Sequence, residues 1–186
     1  MKKLLTIPNI LTCLRIVGTL LLLWLAPFST AFFIVYALCG VSDVLDGFIA
    51  RATGTASPLG AKLDSAADLL FYTVMMLRIL PALAELLPRQ IWFWVGGILL
   101  LRVCGYLTAA LRFRCFASMH TYLNKLTGAS LFLVPFFVGH GALTGYSIFA
   151  CSVATLSTVE ELVIHLTASA YQPERKTLLA RQARTH

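Results

Sequence analysis

Apolar blocks close to the length of a bilayer crossing recur along this chain, at roughly 9–26, 30–52, 58–80, 90–111, 124–140 and 146–169. A helix needs about 20 such residues to cross the hydrocarbon core, and only helices or closed barrels satisfy every backbone hydrogen bond there. Composition agrees: 59% of the residues are hydrophobic and 12% charged, against about a quarter charged in a soluble domain. The expectation is an all-α integral membrane protein with six transmembrane helices in one domain, residues 1–186. No small-residue cleavage site follows the first block and further blocks come after it, so it reads as a retained span rather than a secretory signal. Trp92, Trp94, Tyr146 and Tyr171 fall near proposed helix ends, where amphipathic rings favour the headgroup level.

In this arrangement Lys2, Lys3, Arg51, Lys62, Arg112, Arg114, Lys125, Arg175, Lys176, Arg181 and Arg184 share one side of the membrane, and Arg89 lies on the other. Cationic loops stay cytoplasmic, so both termini and the 52–57 and 112–123 connections are expected there. The formal net charge of +7 then belongs mainly to one face and suits anionic headgroups and solutes. No aromatic-interleaved soluble basic module is present, which argues against nucleic acid as a partner. Cys13, Cys39, Cys104, Cys115 and Cys151 are scattered without ligand-like spacing and read as small apolar fillers, and the four histidines are equally dispersed.

Four of the eight acidic residues, Asp43, Asp46, Asp64 and Asp68, lie inside two of the apolar blocks. A carboxylate at mid-helix in a bilayer costs at least about 2.5 kcal/mol and must face a polar cavity, a partner or a metal. The first pair is spaced three apart and the second four apart, so each occupies one helical face. Gly47 and Ala50 continue the first face with little bulk. Between the pairs, Gly54 and Pro58 end one helix and begin the next, with Ser57 placed as a cap. The resulting hairpin brings all four carboxylates to similar depth, in a polar cavity open to the cytoplasmic side. Oxygen ligands at this density suit Mg²⁺, Mn²⁺ or Ca²⁺ rather than zinc. Two cations bridged by shared carboxylates would fit, an arrangement used for displacement at phosphorus. Arg51 reads either as a snorkelling flank or as a phosphate ligand beside that site.

The run Asp43-x-x-Asp46-Gly47-x-x-Ala50-Arg51, eight residues, Gly60-x-x-x-Asp64-x-x-x-Asp68 resembles the CDP-alcohol phosphatidyltransferase signature in identity and spacing. Pro8-Asn9-Ile10-Leu11-Thr12-x-x-Arg15 resembles the same family near the N-terminus. The resemblance implies an enzyme that transfers a phosphatidyl group from CDP-diacylglycerol to a small alcohol acceptor and releases CMP. It implies six transmembrane helices around a cytoplasmic cavity, commonly in a homodimer within the lipid bilayer. By position, it assigns two divalent cations, Mg²⁺ or Mn²⁺, to Asp43, Asp46, Asp64 and Asp68, with Asp68 also the general base. Asn9, Thr12, Gly47, Ala50, Arg51 and Ser57 would contact the CDP-lipid, and Gly60 would allow close approach of a helix or the nucleotide.

The acceptor is expected to meet the later helices. Arg102, Arg112 and Lys125 are candidates for binding it, Arg112 having the competing reading of an ordinary cytoplasmic flank. They favour a phosphorylated acceptor, glycerol 3-phosphate first and inositol phosphate second, with inositol or an amino alcohol as alternatives if Glu160 and Glu161 line the pocket. Otherwise those glutamates are expected in a structural ion pair with Arg102 or Arg78. A cation-coupled transporter would also carry intramembrane carboxylates, but dispersed over several helices with internal repeats. A bacterial inner membrane is the expected location, from the short chain, the compact Lys2-Lys3 flank and no recognisable transit peptide.

Overall fold

The computed structural model describes residues 6–54, 57–113 and 121–167. The described residues form six α-helices, α1 (Ile7–Leu21), α2 (Thr30–Ala52), α3 (Pro58–Leu86), α4 (Arg89–Phe113), α5 (Tyr122–Leu133) and α6 (Leu143–Thr167), with a 3₁₀ turn at Val134–Phe137. Four of them, over Thr30–Ala50, Leu59–Leu86, Arg89–Phe113 and Leu143–Thr167, are long and apolar enough to cross a membrane. Together with α1, a shorter apolar helix, they make the protein an all-α membrane protein.

The helices depart from the expected boundaries for local reasons. The third continues through Pro81 to Leu86, since the chain to either side keeps its apolar character. The fifth stays α-helical for only 12 residues because Pro135 stands in the first turn of the following 3₁₀ segment, where its missing N–H and fixed φ are tolerated. The first is 15 residues long, about 22 Å at 1.5 Å per residue. Pro8 sits in its first turn without loss, since the first-turn N–H groups have no intrahelical acceptor.

The chain divides into two compact units, Met1–Leu86 and Leu87–His186. In the first, α1 packs on both α2 and α3. Tyr36 of α2 stacks on Phe71 of α3, with ring centroids 5.6 Å apart. A Cβ on Gly18 would come within 2.9 Å of Cys39 Sγ, so α1 and α2 approach closely where that side chain is absent. Polarity is inverted relative to a water-soluble bundle: Val44 and Leu69 are 70% exposed while Asn9, Thr12, Arg15, Thr19 and Asp46 are buried. Outward apolar side chains face lipid at no cost, and inside the unit Thr12 and Arg15 bond to the aspartates.

In the second unit α6 packs on α4, α5 and the 3₁₀ turn. Trp94 Nε1 donates to Thr155 Oγ1 at 3.0 Å and Tyr146 Oη to Ser130 O at 3.1 Å. These two rings therefore spend their polar atoms between helices as well as lying near helix ends. Tyr171 is outside the described residues. Of the cysteines, Cys39 and Cys151 are buried and Cys13 and Cys104 exposed, all free; Cys115 is not among those described.

Candidate metal centre

The hairpin that carries the aspartates is built locally. Thr53 ends α2, its N–H bonding Ile49 O at 2.9 Å. Gly54 follows with φ of +64°, the left-handed conformation that glycine adopts without a Cβ penalty. Ser57 Oγ accepts from Gly60 N at 3.0 Å and Ser57 O from Ala61 N at 3.0 Å, capping α3 as expected. Gly60 admits α1: a Cβ there would lie 2.9 Å from Asn9 Oδ1 and 3.1 Å from Ser57 Oγ. Close approach at Gly60 is therefore made by a helix of the same unit.

Asp43, Asp64 and Asp68 each offer one carboxylate oxygen, and the three oxygens lie within 4.8 Å of one another. Their side chains are 48%, 41% and 41% exposed, while that of Asp46 is 4% exposed. Thus the two helical pairs converge, but as three open carboxylates and a buried one. Thr12 Oγ1 donates toward Asp46 Oδ2 at 3.0 Å and toward its own helix at Pro8 O, also 3.0 Å. A hydroxyl has one proton, so the two acceptors share it.

The centre of the cluster is Arg15, which the signature does not include. Its Nη1 is 2.6 Å from Asp43 Oδ1 and 2.5 Å from Asp68 Oδ1. Its Nη2 is 3.0 Å from Asp64 Oδ1 and also pairs with Asp46 Oδ2. One guanidinium thus touches all four carboxylates, with the side chain 2% exposed. Planar donors in a fixed fork make this possible where an ammonium could not span it. Arg15 is the sole charged residue of the first apolar block. The cost argument that marks the aspartates applies to it equally, and that signal would have identified it.

With the four aspartates ionised, Arg15 leaves three negative charges uncompensated in a partly buried site. Oxygen-only donors at this density fit a hard divalent cation, and the cluster could hold one. Asp43, Asp64 and Asp68 have the exposure and mutual spacing for first contact with it; Asp46 adjoins through Arg15.

Of the other candidates, Gly47 and Ala50 are half-buried on α2. The side chain of Arg51 is outside the described part of the chain. Arg102 Nη2 donates to Asn124 Oδ1 at 3.0 Å and lies 3.9 Å from Glu161 Oε2. Arg112 Nη1 donates to His165 O at 2.8 Å and also to Leu166 O, at the end of α6. A cation there complements the helix dipole and its orphan carbonyls. Lys125 is exposed. The expected ion pair of Glu161 is with Arg102, and Arg78 instead donates to Leu25 O at 2.5 Å. His165 is buried with Nε2 3.8 Å from Glu161 Oε1. The four-residue spacing on α6 is the signal that places them together.

Comparison with known proteins accords with this site. A cardiolipin synthase (CMP-forming) of Streptomyces coelicolor is 42% identical over 109 residues, covering 54% of this chain and 47% of its own length. A CDP-diacylglycerol–serine O-phosphatidyltransferase of Methanocaldococcus jannaschii is 38% identical over 73 residues, 39% of this chain and 34% of the relative. A CDP-diacylglycerol–glycerol-3-phosphate 3-phosphatidyltransferase of Pseudomonas fluorescens is 35% identical over 75 residues, 38% of each chain. The matched regions thus span less than half the length of these curated relatives. No solved structure matches the chain significantly. The family model for CDP-alcohol phosphatidyltransferase matches residues 5–156, which takes in α1 through most of α6, and the chain belongs to that family.

Proposed function

We propose that the chain is a metal-dependent phosphatidyltransferase of phospholipid biosynthesis, moving a phosphatidyl group from CDP-diacylglycerol to an alcohol with release of CMP. The observation that carries this reading is the convergence of Asp43, Asp64 and Asp68 oxygens within 4.8 Å, with Asp46 adjoining, in a chain of this family. Residues 1–186 act as one catalytic domain, with α1 and the segment of α5 plus the 3₁₀ turn as the short members of six spans. The termini and the cavity face the cytoplasm of a bacterial inner membrane, and the working form is a homodimer.

Asp43, Asp46, Asp64 and Asp68 would hold two divalent cations, Mg²⁺ or Mn²⁺. Bound there, such cations neutralise the pyrophosphate and stabilise charge developing on the leaving CMP. The acceptor oxygen attacks the phosphatidyl phosphorus, forming the new P–O bond as the pyrophosphate P–O bond breaks, and CMP leaves with that electron pair. Asp68 accepts the hydroxyl proton, needed because an alcohol is a weak nucleophile near neutral pH. Arg51 contributes positive charge to the CDP-lipid phosphates, and Gly47 and Ala50 leave room beside α2 for the nucleotide. Asn9, Thr12, Ser57 and Gly60 shape the opposing wall, a role supported by the contacts of Asn9 at Gly60 and of Thr12 at Asp46.

Glycerol 3-phosphate is the proposed acceptor, its phosphate bound by Arg102 and Lys125 with Arg112 near the helix ends. The name of the P. fluorescens relative supports this. A second reading, in which the product is cardiolipin, is favoured by the 42% identity to the S. coelicolor protein.

The test is CMP release from CDP-diacylglycerol in detergent with Mg²⁺ or Mn²⁺. Glycerol 3-phosphate, inositol phosphate, inositol, serine, choline and phosphatidylglycerol are supplied separately. Release with glycerol 3-phosphate alone, lost in Asp68→Asn, is expected; release only with phosphatidylglycerol selects the second reading, and no release with any acceptor removes the enzyme reading.

A further inference from the structure

We infer that Arg15 is an exchangeable counter-cation of the carboxylate cluster: it holds the four aspartates together in the metal-free protein and is displaced from them as divalent cations bind. This rests on the proposed cation site. The three aspartates that make up the candidate cation group, Asp43, Asp64 and Asp68, are the same residues whose Oδ1 atoms the Arg15 Nη atoms contact at 2.5–3.0 Å. Divalent cations of this class sit about 2.0–2.6 Å from their oxygen ligands. A guanidinium bound to all of these carboxylates therefore competes with such ions for their oxygens.

Two further observations make exchange feasible. Arg15 Nε has no hydrogen-bond partner among the described residues, so the side chain is held through its terminal nitrogens alone. Thr12 Oγ1 reaches Asp46 independently of Arg15, so α1 keeps a polar tie to α2 after the guanidinium moves. Without either cation, four carboxylates on adjoining helices would repel and open the hairpin; with both in place, positive charges would crowd one site. Arg15 thus sets the divalent-cation concentration at which the site fills, trading affinity for an assembled metal-free state.

The experiment is a Mn²⁺ titration of the full chain in detergent without lipid substrate, following the electron paramagnetic resonance signal of free Mn²⁺. Thermal unfolding is measured alongside, with and without Mn²⁺. Arg15→Gln is expected to bind Mn²⁺ about tenfold more tightly than the wild type, to unfold at a lower temperature without metal, and to recover most of that loss at saturating Mn²⁺. Arg15→Lys, which keeps the charge but spans fewer carboxylates, is expected to bind about threefold more tightly and serves if the glutamine variant does not fold. Unchanged or weaker Mn²⁺ binding in the folded variant would overturn the inference, showing Arg15 to be a partner of the loaded site. A wild-type protein that binds no Mn²⁺ would instead overturn the cation reading beneath it.

Discussion

Thr12 Oγ1 of α1 stands 3.0 Å from Asp46 Oδ2 of α2, tying the least exposed carboxylate of the cluster to the first helix. Hydrogen bonds to charged acceptors contribute about 1.5–3 kcal/mol, and a buried acceptor left without one loses that and its hydration. Thr12→Val keeps the shape and removes the donor. It is expected to destabilise the first unit by about 1–3 kcal/mol, read as a lower unfolding temperature in detergent, whereas Thr12→Ser retains the hydroxyl and most of the stability. Equal loss in both would show that the methyl packing, rather than the hydrogen bond, matters.

Gly60 is where α1 meets the start of α3. Since an added Cβ would lie 2.9 Å from Asn9 Oδ1 and 3.1 Å from Ser57 Oγ, Gly60→Ala must push α1 away or break the cap. A cost of about 1–3 kcal/mol is expected, as for overpacking elsewhere. Gly96, with nothing within 4 Å of such a Cβ, is the control: Gly96→Ala is expected to leave unfolding unchanged within about 0.5 kcal/mol. A Gly60→Ala protein as stable as the control would contradict the tight contact.

Asp68→Asn preserves size while removing negative charge and basicity. If Asp68 takes the acceptor proton, CMP release should fall by about 10²–10⁴-fold. Chelation of divalent cations should abolish release in the wild type, with recovery on adding Mg²⁺ or Mn²⁺. Turnover that persists through exhaustive chelation is the result that contradicts the cation assignment.

In the second unit, Glu161 lies 3.9 Å from Arg102 and 3.8 Å from His165. Glu161 is buried and Arg102 half-buried, and taking away the partner of a buried charge is more damaging than removing both. Arg102→Met is therefore expected to destabilise the protein, and Arg102→Met combined with Glu161→Gln to restore part of the loss. A coupling energy of about 1 kcal/mol or more in that double-mutant cycle is the expected outcome. Additive effects would mean that the two residues act separately.

The sequence by itself determined the local parts of this protein. Asp43 with Asp46, and Asp64 with Asp68, share helical faces because the repeat of 3.6 residues per turn is a property of one helix. Ser57 and Gly54 set the hairpin through short-range capping and φ preferences, as the hydrogen bond to Ser57 Oγ and the φ of Gly54 show, and Pro58 begins α3. The apolar blocks marked membrane helices because bilayer thickness sets their length. Tertiary structure decided which groups meet. Nothing in helical spacing says that Arg15 lies at the centre of the aspartates, or that Asp46 is enclosed while Asp43, Asp64 and Asp68 stay open. Those outcomes depend on how α1 registers against α2 and α3, and that register comes from side-chain packing between residues distant in sequence, at Gly18 with Cys39 and at Gly60 with Asn9. The four aspartates and Arg15 were alike legible from their cost in lipid, and that the five meet became assignable only once α1 was packed beside α2 and α3.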